Sequence, residues 1–191
     1  MTEFELLAIP LSLILGLGIT NILSDVSDAI RDRERVPLHW LPFSWAFLIF
    51  LFQVQYFFVL WDMNEFGMIW TWPNFGPALF NCVILYLSAG LILPGRRNSD
   101  SANLLEDFEK HGRLALVTLA FMLLVAILLN FYYWADLVTT ANALNVVLIA
   151  SICLVLIPKR FPWQVAGTLI FAITQFLGMV TIWSVPGWTA T

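Results

Sequence analysis

The length of its apolar blocks is what most constrains this chain. Each of six blocks is about 20 residues long, the length that an α-helix needs to cross roughly 30 Å of hydrocarbon. The chain is also 60% hydrophobic and 12% charged, against about 45–50% and roughly 25% for a soluble domain. We therefore expect an all-α integral membrane protein, a single transmembrane domain over residues 1–191. Its six predicted helices are 6–23, 40–61, 77–93, 114–134, 137–157 and 163–183.

The positions of the cations predict how these helices are oriented. Lys and Arg near helix ends are retained in the cytoplasm, and every cation of this chain falls in an alternate connection between blocks. They are Arg31, Arg33 and Arg35, then Arg96, Arg97, Lys110 and Arg113, and finally Lys159 and Arg160. Three connections agree, so both termini are predicted to lie outside the cytoplasm. We expect a multi-pass protein of the cell membrane, most simply the bacterial inner membrane, with no cleaved signal peptide because Met1–Glu5 carries no basic residue.

A short amphipathic segment is predicted in the loop between the third and fourth blocks. In residues 101–112, Leu104, Leu105 and Phe108 share one helical face, and acidic side chains occupy the other. Asn103 and Glu106 have the spacing of an N-terminal capping box. This pattern predicts a helix on the inner membrane surface. Its acidic face would be solvated or would contact a protein partner.

Amide side chains are the main polar groups within the predicted helices, and most lie in the outer half of the membrane. An amide that faces lipid loses its hydrogen bonds, so these groups should face water or one another. Two interpretations stay open: a polar vestibule open to the outer side, or hydrogen bonds that join helices. Gln53 and Gln55 cannot share one partner, because side chains two residues apart on a helix point in different directions. The candidate set is Gln53, Gln55, Asn81, Asn130, Asn142, Asn145 and Gln175.

Small residues in the first helix predict close helix packing. Gly16, Gly18 and Thr20 fall within Leu15–Asn21, and Gly16 with Thr20 forms a small-xxx-small pair. Such pairs let two helix backbones approach closely. The contact would lie within the bundle or form the seam of a homo-oligomer. The Gly-x-Gly here is not a nucleotide fingerprint, because the strand and helix that phosphate binding requires are missing.

No pattern in the sequence predicts catalysis. The serine, zinc-protease, Cys-x-x-Cys and phosphate-loop motifs do not occur, and no ionisable residue lies clearly within the hydrocarbon, as a proton-coupled carrier would require. Haem ligation by His39 and His111 is disfavoured, since both lie at or beyond the headgroups and membrane haem ligands normally lie within helices. We therefore expect that the protein is not an enzyme and that it binds no metal or cofactor. The basic loops are too short, and contain too many acidic residues, to predict binding of nucleic acid.

Two hypotheses about function remain, and the lipid bilayer is a partner in both. In the first, the protein is a small channel or facilitator for a neutral or weakly charged solute, working as an oligomer with the amides as its outer vestibule. In the second, it is a non-catalytic accessory or assembly subunit that docks on another membrane protein through aromatic and small-residue faces. The sequence favours the first slightly.

Overall fold

The computed structural model describes residues 3–65, 69–93, 103–134, 137–157 and 161–183. Every regular element within those ranges is helical, and no strand occurs there. The elements are α1 (Glu3–Arg31), α2 (Trp40–Glu65), α3 (Trp72–Leu91), α4 (Leu104–Asp107), a π-helical turn (Phe108–Gly112), α5 (Arg113–Trp134), α6 (Thr140–Val155) and α7 (Phe161–Trp183). The chain divides into unit 1, Met1–Thr118, and unit 2, Leu119–Thr191. Helix α5 begins in the first unit and ends in the second.

Five helical stretches are long and apolar enough to span a membrane, which makes the chain a multi-pass membrane protein of the all-α class. They are Phe4–Arg31, Trp40–Asn64, Trp72–Leu91, Leu104–Tyr132 and Phe161–Val180. The fourth includes α4, the π-helical turn and most of α5. The remaining apolar helix is Thr140–Val155, so five of the six predicted helices have spanning length.

Helix α6 is shorter than the predicted 137–157. Its 16 residues extend about 24 Å at 1.5 Å per residue. The helix begins where the Thr139 side chain accepts a hydrogen bond from the Asn142 backbone N–H at 3.1 Å, which caps its first turn. Val138, before this cap, is 92% exposed. Hydropathy placed these apolar flanking residues in the helix, whereas the capping threonine defines where it starts.

Helix α1 continues past its predicted C-terminal end, and helix α3 begins before its predicted N-terminal end. Helix α1 has 29 residues and continues to Arg31, past the predicted end at residue 23. Helix α3 begins at Trp72 instead of residue 77, with a proline in its first two positions, where the missing N–H of proline costs no hydrogen bond. The fall in hydropathy marks the edge of the hydrocarbon, and a helix continues beyond it where the residues permit.

The described part of the amphipathic segment predicted at 101–112 is helical from Leu104 onward and continuous with α5. Residues 101 and 102 lie outside the described part. The predicted cap is confirmed, since Asn103 Oδ1 accepts from the Glu106 backbone N–H at 2.8 Å. Leu104 and Phe108 are buried, and the Leu104 N–H lies 3.5 Å from the Pro37 carbonyl oxygen. The π-helical turn leads directly into α5. The buried side chains of Leu104 and Phe108 belong to unit 1.

In unit 1, helices α1, α2 and α3 pack against one another. Trp45 lies in the second turn of α2 and is fully buried, so its ring packs in the protein instead of at the headgroup level that tryptophan usually prefers. The opposite faces carry exposed leucine and phenylalanine side chains, as expected for helices that contact lipid. The buried apolar side chains of the three helices include Leu11, Leu15, Ile22, Trp45, Ile49, Phe52, Cys82, Leu85 and Ala89.

In unit 2, helices α6 and α7 form a closely packed antiparallel pair. Gly167 makes the approach possible. A Cβ at Gly167 would lie 2.6 Å from the Ser151 carbonyl oxygen and 2.7 Å from Val155 Cγ2, both well inside van der Waals contact. Gly178 also faces inward, but a Cβ there would lie 3.5 Å from Leu144 Cδ1, which is ordinary contact. The two helix backbones are therefore closer at Gly167 than at Gly178.

Candidate functional site

Gln53 is the most buried of the seven amides proposed from the sequence. Its side chain is 0% exposed, and its Nε2 donates to the Leu85 carbonyl oxygen on α3 at 3.2 Å. Its Oε1 is buried and has no hydrogen-bond partner among the described residues. An unsatisfied buried acceptor costs about 1–3 kcal/mol. Gln53 thus joins α2 to α3 through one end of its amide and has an unpartnered, buried acceptor at the other.

Gly18 provides the space in which this amide lies. A Cβ at position 18 would overlap Gln53 Nε2 and lie 3.3 Å from Oε1. Because glycine has no side chain, the backbone of α1 can lie directly against the Gln53 amide. Within unit 1, Gly18 thus lies against a polar side chain of α2.

Gly16 and Thr20 lie on the other side of α1 and are exposed. A Cβ at Gly16 would meet nothing within 4 Å, and the Thr20 hydroxyl donates to the Gly16 carbonyl oxygen at 2.8 Å. Leu13 and Leu17, on the same face, are also exposed. In the described part of unit 1, the small-xxx-small pair is therefore on an exposed face of α1, and both of its predicted uses stay open.

Asn81 has a second buried acceptor in unit 1. It is 2% exposed, and its Oδ1 has no hydrogen-bond partner in the described part of the chain. Along α3 it lies between Ala78 and Leu85, whose carbonyl oxygens accept from α2. The first of these bonds comes from the Tyr56 hydroxyl at 3.3 Å, and the second comes from Gln53. Two polar contacts between α2 and α3 therefore bracket Asn81.

Gln55 differs from Gln53 as its spacing predicts. It is only half-buried, whereas Gln53 is fully enclosed, so the two side chains have different surroundings. The Gln55 Oε1 atom is nevertheless covered and has no partner among the described residues. Three of the seven proposed amides, Gln53, Gln55 and Asn81, thus belong to unit 1.

The amides of unit 2 include a pair that joins two helices. Asn130 Nδ2 on α5 donates to Asn142 Oδ1 on α6 at 2.8 Å, and Asn142 Nδ2 donates to the Leu137 carbonyl oxygen at 3.2 Å. Both ends of the Asn142 amide are bonded within the protein. This geometry is that of hydrogen bonds between helices. Asn145 is half-buried and Gln175 is buried.

Several buried polar residues lie outside the set proposed from the sequence. Gln164 and Thr168 are buried on α7, and the Thr168 hydroxyl donates to the Gln164 carbonyl oxygen at 2.8 Å. The i, i+4 spacing of these two residues around Gly167 was a signal for one inward face. In unit 1, the hydroxyls of Ser88 and Thr118 lie 2.8 Å apart. Hydroxyl residues in a transmembrane helix can bond to their own backbone, and sequence therefore did not mark them.

The two histidines contact different groups. His39 Nδ1 accepts from the Leu41 backbone N–H at 3.3 Å, at the start of α2. His111 Nδ1 lies 3.1 Å from Asp107 Oδ1, in the π-helical turn. Among the described residues, no cluster of three or more His, Cys, Asp or Glu side chains is placed to hold a metal ion.

The chemistry that the two most buried amides of unit 1 offer is that of neutral hydrogen-bond acceptors. Gln53 and Asn81 present amide oxygens, and these oxygens can bind donors but cannot act as nucleophiles or proton carriers at ordinary pH. Comparison with known proteins gives no further guide, because no protein-family model, curated protein or solved structure matches this chain.

Proposed function

We propose that this protein is a non-enzymatic channel or facilitator for a neutral or weakly charged solute, and that it works as an oligomer in the cell membrane, most simply the bacterial inner membrane. In this proposal the chain crosses six times, with both termini outside the cytoplasm. The alternation of all nine cations supports that topology. For α6, the apolar residues that flank Thr140–Val155 extend the short helix toward both interfaces.

The observation that carries the proposal is the set of three unpartnered amide oxygens in unit 1, on Gln53, Gln55 and Asn81, of which the first and last belong to fully buried residues. Gln53 Oε1 and Asn81 Oδ1 are both buried without a hydrogen-bond partner in the described ranges. Side chains that serve only to join helices are normally satisfied within the protein, as Asn142 is. Acceptors that the protein leaves unsatisfied gain a partner when a polar molecule reaches them, which is the role of polar groups along a path.

Cysteine accessibility tests the proposal directly. Cys82 and Cys153 are first replaced by serine, and single cysteines are then introduced by Gln53→Cys and Asn81→Cys. A polar path predicts that both react from the outer side with a membrane-impermeant thiol reagent. Ile69→Cys is the positive control, because Ile69 is exposed in the connection between α2 and α3. Leu13→Cys, on the exposed face of α1, is the lipid-facing control.

Equal protection of Gln53→Cys, Asn81→Cys and Leu13→Cys would refute the polar path. The topology has its own test, in which a reporter that is active only in the cytoplasm is fused after Thr191. We expect no activity from that fusion. Activity would reverse the orientation of every connection, because the assignment alternates from one helix to the next.

A second function is favoured by the exposed face of α1. Gly16 and Thr20 lie there between leucines and are exposed in the described part of unit 1, as expected of a helix that docks on another membrane protein. In this alternative the protein is an accessory or assembly subunit. Purification in mild detergent distinguishes the two: a stoichiometric second chain favours the subunit, and a homo-oligomer alone favours the channel.

A further inference from the structure

We infer that the solute belongs to the class of small, uncharged molecules that donate hydrogen bonds, and that the amide oxygens of Gln53 and Asn81 accept those bonds. This inference rests on the proposed channel function and adds to it the chemical class of the solute. Water, urea and small amides or alcohols belong to this class. The argument uses the orientation of the two amides, the charge of the surrounding helices and the burial of the site.

The orientation of the Gln53 amide is fixed by its partner on α3. The Leu85 carbonyl oxygen can only accept a hydrogen bond, so the NH₂ group of Gln53 must point toward it, as the 3.2 Å contact shows. The Gln53 oxygen must then point away from Leu85. Rotating the amide by 180° would set two oxygens against each other. The available group at this position is therefore an acceptor, which selects ligands that donate.

Gly18 adds a second constraint on the same oxygen. A Cβ there would lie 3.3 Å from Oε1 and would overlap Nε2. The amide thus lies against bare backbone of α1 while bonded to α3, at a position where three helices meet. No side chain of α1 at position 18 competes with a ligand for this acceptor.

The segments of α1, α2 and α3 that surround the two amides carry no charge that would favour an ion. Residues 6–23, 40–61 and 72–91 contain no Asp, Glu, Lys or Arg. An ion that left water here would pay a large desolvation penalty with no opposite charge to compensate it. Two amide oxygens are also far fewer than the six to eight oxygen ligands typical of a hard cation such as Ca²⁺. The composition of the site therefore favours uncharged ligands.

Burial limits the size of the ligand. Gln53 and Asn81 are 0% and 2% exposed, so the surrounding side chains leave little room. A ligand therefore reaches these oxygens only when neighbouring side chains move, and a small molecule requires the least movement.

Solute flux into proteoliposomes tests the inference. The full chain is reconstituted, and the uptake of urea is compared with that of dimethyl sulfoxide, a molecule of similar size that accepts hydrogen bonds but has none to donate. Flux through protein-free vesicles is subtracted for each solute. We expect the wild-type protein to conduct urea at least about fivefold faster, the ratio expected from one hydrogen bond. This comparison needs no substitution.

Two variants then locate the selectivity. Asn81→Leu and Gln53→Met remove one acceptor each at similar side-chain volume, and each should lower the urea flux about fivefold without lowering the flux of dimethyl sulfoxide. The matched control is Asn21→Leu, which replaces a half-buried amide of α1 outside the site. It should leave the ratio unchanged. Size-exclusion chromatography shows whether each variant remains folded.

The outcomes separate the inference from the proposed function. Flux of neither solute above that of protein-free vesicles would overturn both. Equal flux of urea and dimethyl sulfoxide through the wild-type protein would overturn the inference alone and leave a channel of another selectivity. The same conclusion would follow if folded Asn81→Leu and Gln53→Met proteins kept the wild-type ratio.

Discussion

Substitution of Gly167 by alanine measures how closely α6 and α7 pack. The new Cβ would lie 2.6 Å from the Ser151 carbonyl oxygen, about 0.8 Å short of the 3.4 Å at which ordinary contact begins. Because this neighbour is backbone, no change of side-chain rotamer relieves the overlap, and the helices must separate. Overpacking of this kind costs about 1–3 kcal/mol, and alanine regains about 0.5–1 kcal/mol of helix propensity. We expect a net destabilisation of about 1–2 kcal/mol.

Gly178 provides the matched control on the same helix. A Cβ there would reach Leu144 Cδ1 at 3.5 Å, so Gly178→Ala should keep the propensity gain and stabilise the protein by about 0.5–1 kcal/mol. Both variants are unfolded by titration with SDS in mixed micelles and followed by far-UV circular dichroism. Hydrogen exchange over residues 161–183 reports whether the change lies in α7. Equal stability of Gly167→Ala and Gly178→Ala would refute the close backbone approach.

Three further substitutions test other contacts. Asn142→Leu removes the bonds to α5 and to the preceding loop and should destabilise unit 2 by about 1–2 kcal/mol, whereas Asn145→Leu should change SDS resistance by less than half as much. Thr139→Ala removes the N-cap of α6 and should cost about 1 kcal/mol, seen as faster hydrogen exchange over residues 140–143 alone. Gly18→Ala displaces the Gln53 amide nitrogen from its bond to the Leu85 carbonyl oxygen, so it should cost about 1–3 kcal/mol and reduce urea flux; a variant with wild-type stability and flux would contradict the placement of that amide.

Hydropathy predicted where helices occur but not which side of each helix faces inward. In α1, Gly16 and Gly18 were grouped as packing residues, yet at 100° per residue they lie on nearly opposite sides of the helix. One is buried against Gln53, and the other is exposed. For a soluble helix the apolar side would identify the inward face, but a transmembrane helix is apolar on every side because lipid is also apolar. Only the neighbouring helices decide between the two glycines.

The candidate site was predictable in part for a similar reason. The choice of Gln53 and Asn81 followed from the cost of placing amides in hydrocarbon, and both are buried. The sequence did not reveal that Asn142 would be satisfied by Asn130 and Leu137, because those bonds depend on how the loop before α6 folds. The sequence also did not reveal Leu85 as the partner of Gln53, since every residue type carries a backbone carbonyl.

The shortness of α6 has a consequence for the lipid around the protein. A helix of 16 residues is roughly 6 Å shorter than a typical hydrocarbon core, and such a mismatch is met by local thinning of the bilayer at a fraction of a kcal/mol per Å. If α6 crosses as proposed, the protein should partition toward lipids with short or unsaturated acyl chains. Acyl-chain length would then set the stability of the α6–α7 hairpin, so that membrane thickness itself becomes a variable to which this protein responds.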